Sequence, residues 1–239
     1  MTDIPIPARD GSATFTGYLA RPAGGTGPGL VLIQYVCGVN QVMRRYADGY
    51  AAMGYCVLVP DLFWRQEAGV QLIPDPARPS KEEFARALEL NAGIDDALAV
   101  EDLLAAADVL RAHGACTGPV GALGYCLGGR LVVPMATQGD LACAVSYYGV
   151  NLDRYIDAAA DASCPMLFHV AGEDSMVPDT VRRAIKERMA GRADCTVTLH
   201  AGVDHAFALP SGPNYNPDAA IAANAQSAAF LARHMPVAS

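Results

Sequence analysis

Apolar residues along this chain fall into two kinds of stretch. Short continuous runs, the pattern of strands buried on both faces, alternate with longer helical patterns. Residues 4–7 and 13–20, separated by a turn signal at Asp10–Gly11, predict an N-terminal antiparallel hairpin. Residues 29–36 form an apolar run broken only by Gln34, and 55–60 form another that ends at Pro60–Asp61. Between them, 41–53 predicts a helix that stops at Gly54. A Pro-rich loop over 63–79 follows, and Ser80-x-x-Glu83 has the form of a capping box for a short helix. Further helices are expected over 95–112, from Leu127, over 178–190 and over 217–233. Further strands are expected over 120–125, 142–148, 166–171 and 196–199. Alternating strands and helices predict an α/β fold, with a mostly parallel sheet and helices on both faces. Ligands in such sheets bind at the carboxyl ends of the strands.

With 239 residues, the chain suits one α/β domain spanning 1–239, large enough to bury a core without disulfides or structural metals. The net charge of −8 argues against a nucleic-acid partner, and the basic pairs Arg44–Arg45 and Arg182–Arg183 are expected on solvated helix faces. Seven cysteines, an odd number without a CxxC, read as reduced thiols in a reducing compartment. MTDIPIPARDG has neither the basic region nor the apolar region of a signal peptide. No apolar run has the length of a membrane span. Together these features predict a cytoplasmic protein.

The chemistry concentrates at Gly124–Tyr125–Cys126–Leu127–Gly128–Gly129, between a predicted strand and a predicted helix. This is the nucleophile-elbow pattern of the α/β-hydrolase fold with Cys in place of the usual Ser. Small residues on either side permit a sharp turn that lifts Cys126 above the sheet. The helix N-terminus behind it favours a thiolate, and the Leu127 N–H can donate to a developing oxyanion. The fold requires an acid and then a base later in the chain. Asp174, after the 166–171 strand, is the expected acid, with Glu173 its local competitor. His205, in the loop after the last strand, is the expected base in preference to His200. His200 and His205 lack a third ligand at zinc spacing, so neither a metal nor an organic cofactor is expected.

These residues resemble the dienelactone hydrolase (carboxymethylenebutenolidase) family over nearly the whole chain. The resemblance is carried by Gln34–Asn40, Pro60–Asp61–Leu62, the GYCLGG run, Tyr147–Tyr148–Gly149–Val150, Gly172–Glu173–Asp174 with Val177–Pro178, and His205–Ala206–Phe207. It implies a Cys126–Asp174–His205 triad, with the N–H groups of Leu127 and Val36 as the oxyanion hole. It also implies a small ester or lactone substrate cleaved through a thioester; charge and the lack of long apolar runs separately predict no nucleic-acid or membrane partner. Two positions of the expected substrate pocket depart from the family. Tyr35 stands where a Glu helps to deprotonate the Cys, and a phenol is no base at neutral pH. Leu209 stands where an Arg grips the substrate carboxylate, so a more apolar substrate is expected. Arg86 lies near the region that supplies the family's other substrate-binding Arg. A non-catalytic ligand-binding protein on the same scaffold is the alternative reading. A redox protein using Cys126 is a third, for which no resolving Cys stands near the motif.

Overall fold

The computed structural model describes residues 2–73, 75–78 and 80–237. Pro74 and Pro79 of the predicted Pro-rich loop lie outside the described residues. The hairpin is present as β1 (Thr2–Pro7) and β2 (Thr14–Ala20), paired antiparallel. β3 (Gly27–Ile33), β4 (Cys56–Pro60), β5 (Cys116–Tyr125), β6 (Ala144–Tyr147), β7 (Met166–Ala171) and β8 (Cys195–His200) run parallel. Among the described residues, eight strands form one sheet in the order β1-β2-β4-β3-β5-β6-β7-β8, with β2 antiparallel to β4. The strand order reverses between β3 and β5. The crevice at their carboxyl ends is where a doubly wound sheet leaves room for a ligand.

The helices are α1 (Gln41–Ala52), α2 (Lys81–Ala92), α3 (Asp96–Ala112), α4 (Leu127–Gln138), α5 (Ile156–Ala159), α6 (Asp179–Met189) and α7 (Pro217–His234). Side chains of α1, α2, α3 and α7 start at polar caps: Asn40, Ser80, Asp95 and Asn216 each accept from N–H groups of the first turn. The short turn Leu152–Arg154 and α5 carry no strong pattern in the sequence and were not expected. The capping box at Ser80 is only half formed. Ser80 accepts from the Glu83 N–H, while Glu83 turns outward to accept from the Ile73 N–H. That bond ties the helix to the loop before it. The third strand ends at Ile33, short of the predicted 36. Gln34 leaves the ladder and its side-chain oxygen accepts from the Leu62 N–H, which fixes the turn that follows.

Strand register shows why both faces of the sheet are covered. Tyr125, Tyr147 and His169 are neighbours across β5, β6 and β7, so they share one face. Tyr125 meets Tyr50 of α1, and Tyr147 meets Asn224 and Ser227 of α7. Gly124, Ser146 and Phe168 form the adjacent row on the opposite face, where Ser146 donates to the Gly129 carbonyl of α4. On the α7 side the row of rings is joined by a polar chain whose direction can be worked out. Tyr147 donates to Asn224 Oδ1 at 3.0 Å, so it accepts from Ser227 at 2.7 Å. Ser227 then accepts from His169 Nε2–H at 2.9 Å, and His169 Nδ1 accepts from His200 Nε2–H at 3.0 Å. Every site on the buried His169 ring is therefore satisfied in its neutral form.

Burial, with the neighbouring His200 adding to it, pushes the His169 pKa down from 6.5 to about 3. Unfolded chain takes up a proton below pH 6.5 that the folded chain refuses, so stability is greatest above that value. We expect stability to fall as pH drops from about 6.5 towards 3, by up to about 1.4 kcal/mol per pH unit from this residue. Urea unfolding at several pH values, compared between the parent and His169→Gln, checks this. An unchanged slope in the variant contradicts it.

Candidate active site

Cys126 sits between β5 and α4 with φ 55° and ψ −108°. A non-glycine residue adopts this backbone only under strain, at a cost of order 1–3 kcal/mol met by the surrounding packing. Glycines make that packing possible. A Cβ on Gly124 would lie 2.1 Å from the Gly128 carbonyl oxygen, and one on Gly128 would lie 2.4 Å from the Ile33 oxygen. The strand, the turn and the first turn of α4 thus touch backbone to backbone. The Cys126 N–H donates to Tyr147 O at 3.0 Å, which fixes the turn to the neighbouring strand. Leu127 opens α4, and its N–H and that of Val36 have no backbone acceptor among the described residues.

Asp174 and His205 come from the loops after β7 and β8. His205 Nδ1 lies 3.1 Å from both carboxylate oxygens of Asp174, and both side chains are buried. The geometry separates the pairs that the sequence left open. Asp174, not Glu173, meets His205, and His200 is engaged with His169 instead. Two further residues hold these loops. Asp204 Oδ1 accepts from the Ser175 and His205 N–H groups, each at 2.6 Å, joining one loop to the other. Arg182, expected on a solvated face, is mostly buried and donates to the Asp174 and Val177 carbonyls at 3.0 and 2.7 Å. A guanidinium can span two carbonyls at once, a use that a pair of adjacent basic residues does not reveal.

Cys126 and His205 both line one cavity of about 350 Å3. His205 Nε2 is buried and has no hydrogen-bond partner that satisfies ordinary geometry. Burial opposes the charged ring, but the charge of Cys126 and the hydrogen bond that the ring donates to Asp174 outweigh it and raise the His205 pKa to about 10. The site thus favours an imidazolium beside Cys126.

A profile of the dienelactone hydrolase family matches residues 15–235. The chain belongs to the dienelactone hydrolase family. It is 42% identical over 237 residues to a protein of Azospirillum brasilense provisionally named a carboxymethylenebutenolidase, covering 98% of this chain and 100% of that one. It is 34% identical over 230 residues to the carboxymethylenebutenolidase of Pseudomonas sp. strain P51, covering 95% and 93% of the two chains. Among solved structures, a provisionally named dienelactone hydrolase from Klebsiella pneumoniae superposes with a TM-score of 0.82 at 24% identity, covering 97% of this chain and 98% of that one.

In this dienelactone hydrolase family member, Tyr35 and Leu209 both line the cavity. Tyr35 is locked in place. Its hydroxyl accepts from Asn40 Nδ2 at 2.7 Å, and burial pushes its pKa well up. Asn40 serves twice, since its Oδ1 caps α1. Arg86 does not line the cavity: it pairs at the surface with Glu67 and Glu89. Sequence reasoning missed Tyr148, which lines the cavity, meets the His205 ring edge-on at 5.1 Å and has φ 36°. It also missed Cys37, a second thiol on the cavity wall, whose pKa burial pushes up to about 12. Its motif position next to Gly38 was visible, but its direction was not. Among the described residues no group of acidic, His or Cys side chains is arranged to hold a metal ion, and no helix is long and apolar enough to cross a membrane.

The backbone contacts at the elbow generate a prediction. Gly124→Ala sets a methyl group against backbone rather than a movable side chain, and should destabilise the protein by at least about 2 kcal/mol. Urea denaturation reads the loss. A stability within 0.5 kcal/mol or so of the parent contradicts this packing.

Proposed function

We propose that this protein hydrolyses a carboxylic ester or lactone, with Cys126 as nucleophile, His205 as acid and base, and Asp174 as the group that orients His205. The observation that carries the reading is the alignment of three groups. Asp174 grips His205 Nδ1 with both oxygens, while Nε2 is left without another partner at a cavity wall shared with Cys126. The names of the Azospirillum and Pseudomonas relatives point to the same class of reaction.

The Cys126 sulfur, as thiolate beside the His205 imidazolium, attacks the carbonyl carbon. Charge grows on the carbonyl oxygen, where the N–H groups of Leu127 and Val36 are the donors of an oxyanion hole. Each such donor is worth about 3 kcal/mol of barrier in comparable sites. His205 Nε2–H then protonates the departing oxygen, and the C–O bond breaks to leave a thioester on Cys126. Neutral His205 next takes a proton from water, whose oxygen attacks the thioester carbon and returns the thiolate. Asp174 supports the imidazolium in both halves. Tyr35, held by Asn40 with a raised pKa, acts as a wall and hydrogen-bonding group and not as a base. Activation of Cys126 therefore rests on His205 and on the N-terminus of α4.

Hydrolysis of p-nitrophenyl acetate and of a neutral enol lactone tests this. Cys126→Ala should lower kcat/KM at least about 10^3-fold, and Asp174→Asn should lower kcat by about 10^2 to 10^4-fold with the fold intact. Equal turnover by Cys126→Ala would remove the nucleophile from this account. A parent protein that binds such esters without turnover would make it a ligand-binding protein on a hydrolase scaffold.

A further inference from the structure

The cavity beside Cys126 opens between three segments of chain. Helix α2 supplies Phe84 and Leu88, the loop after β7 supplies Met176, and the loop after β8 supplies Leu209. Phe84 and Leu88 are four residues apart, so they lie on one face of α2. They remain 44% and 40% exposed, and Met176 remains 46% exposed, although all three line the cavity. Large apolar side chains left this open, and converging on one opening, mark a surface that a ligand covers. The rest of α2 gives little to the core, since its buried residues are Ala87 and Leu90. The helix is tethered by polar contacts at its edges. Gln66 Nε2 donates to Leu90 O at 2.9 Å, the Ile73 N–H donates to Glu83 at 3.3 Å, and Arg86 pairs with Glu67 at 2.6 Å. Its face towards the opening is thus held in place without being filled by protein.

Charge at the opening is sparse. Lys81, the first residue of α2, is the one lysine or arginine among the described residues of the cavity wall. Lys81 is exposed, so an anion there pairs with it through water at little gain.

Building on the hydrolytic reading above, we propose that Phe84, Leu88, Met176 and Leu209 form a subsite for an uncharged alkyl or aryl chain of the substrate. The opening is continuous with the chamber that holds Cys126, so a chain attached to the reacting carbonyl passes directly into it. The preferred substrates are neutral esters or lactones with an extended apolar substituent, and Phe84 and Leu88 determine that specificity. A second copy of this chain seated on the same apolar rim is the competing occupant.

The test compares p-nitrophenyl acetate, butyrate and hexanoate with the carboxylate-bearing p-nitrophenyl hemisuccinate. We expect kcat/KM to rise up to about fourfold per added methylene, the yield of full burial. The ratio of hexanoate to acetate kcat/KM should fall at least tenfold in Phe84→Ala and Leu88→Ala. A flat chain-length profile in the parent overturns the subsite, as does a preference for hemisuccinate over butyrate that is lost in Lys81→Ala. The chain-length profile of the parent decides the first outcome even if a variant fails to fold. Calorimetric binding of acetamide, butyramide and hexanamide to Cys126→Ala reads the same subsite without turnover. Affinity that rises with chain length supports it even if no ester is cleaved, in which case the hydrolytic reading alone fails. Affinity independent of length overturns it. Sedimentation completes the test: a parent dimer that Leu88→Ala converts to monomer, with no chain-length dependence, assigns the rim to a second copy.

Discussion

The backbone contact between Gly124 and Gly128 governs much of what surrounds it. A strand can pass into a helix within one residue only if the two approach at backbone distance, and here a single Cβ on either glycine would collide with a carbonyl. That approach forces Cys126 into its positive-φ conformation and lifts its side chain off the sheet. It also presses the first turn of α4 onto the end of β3, where the chain leaves the sheet at Gln34 and places Tyr35 and Val36 on the wall of the cavity that Cys126 lines. The crevice at the reversal of strand order is thus assembled by close packing, with the ionic groups added afterwards.

The polar groups then follow from what burial demands. His205 is buried, so its charged form depends on partners, and Asp174 and Cys126 supply them. The loops that carry Asp174 and His205 are anchored in the core by Val177, Val203 and Phe207. Polar ties add to this: Asp204 accepts from the Ser175 and His205 N–H groups, and Arg182 donates to the Asp174 carbonyl. His169 on β7 is equally buried, with the neutral His200 and Ser227 as its ring partners, and its pKa moves in the opposite direction. Burial alone lowers the pKa of a histidine, as at His169, and at His205 the charge of Cys126 and the bond to Asp174 outweigh it.

Much of this was legible in the sequence, because the features concerned are local. The hairpin, the parallel strands, the helix caps and the GYCLGG turn each depend on residues a few positions apart. The order of acid and base along the chain was enough to nominate Asp174 and His205. What escaped was set by contacts distant in sequence. The 29–36 run was read as one strand because apolar content does not reveal where a neighbouring loop captures Gln34. Glu83 fits a capping box but bonds Ile73, a choice made by the position of a preceding loop. Arg182 looked like half of a surface pair until the Asp174 loop folded over it. Tyr148 and Cys37 lay inside recognisable motifs, yet nothing local told that their side chains face the cavity. Leu209 was visible as a missing cation, while the apolar side chains of α2 that share its cavity were not.

The central claim is that acyl groups pass through the sulfur of Cys126. Intact-mass spectrometry of Asp174→Asn, quenched in acid during turnover of p-nitrophenyl butyrate, addresses it most directly, because slowed deacylation allows the intermediate to accumulate. The account predicts a single added butyryl group, located on Cys126 by peptide mapping and released by neutral hydroxylamine as a thioester is. A butyryl group on another residue, or turnover with a product burst and no adduct on Cys126, would contradict it.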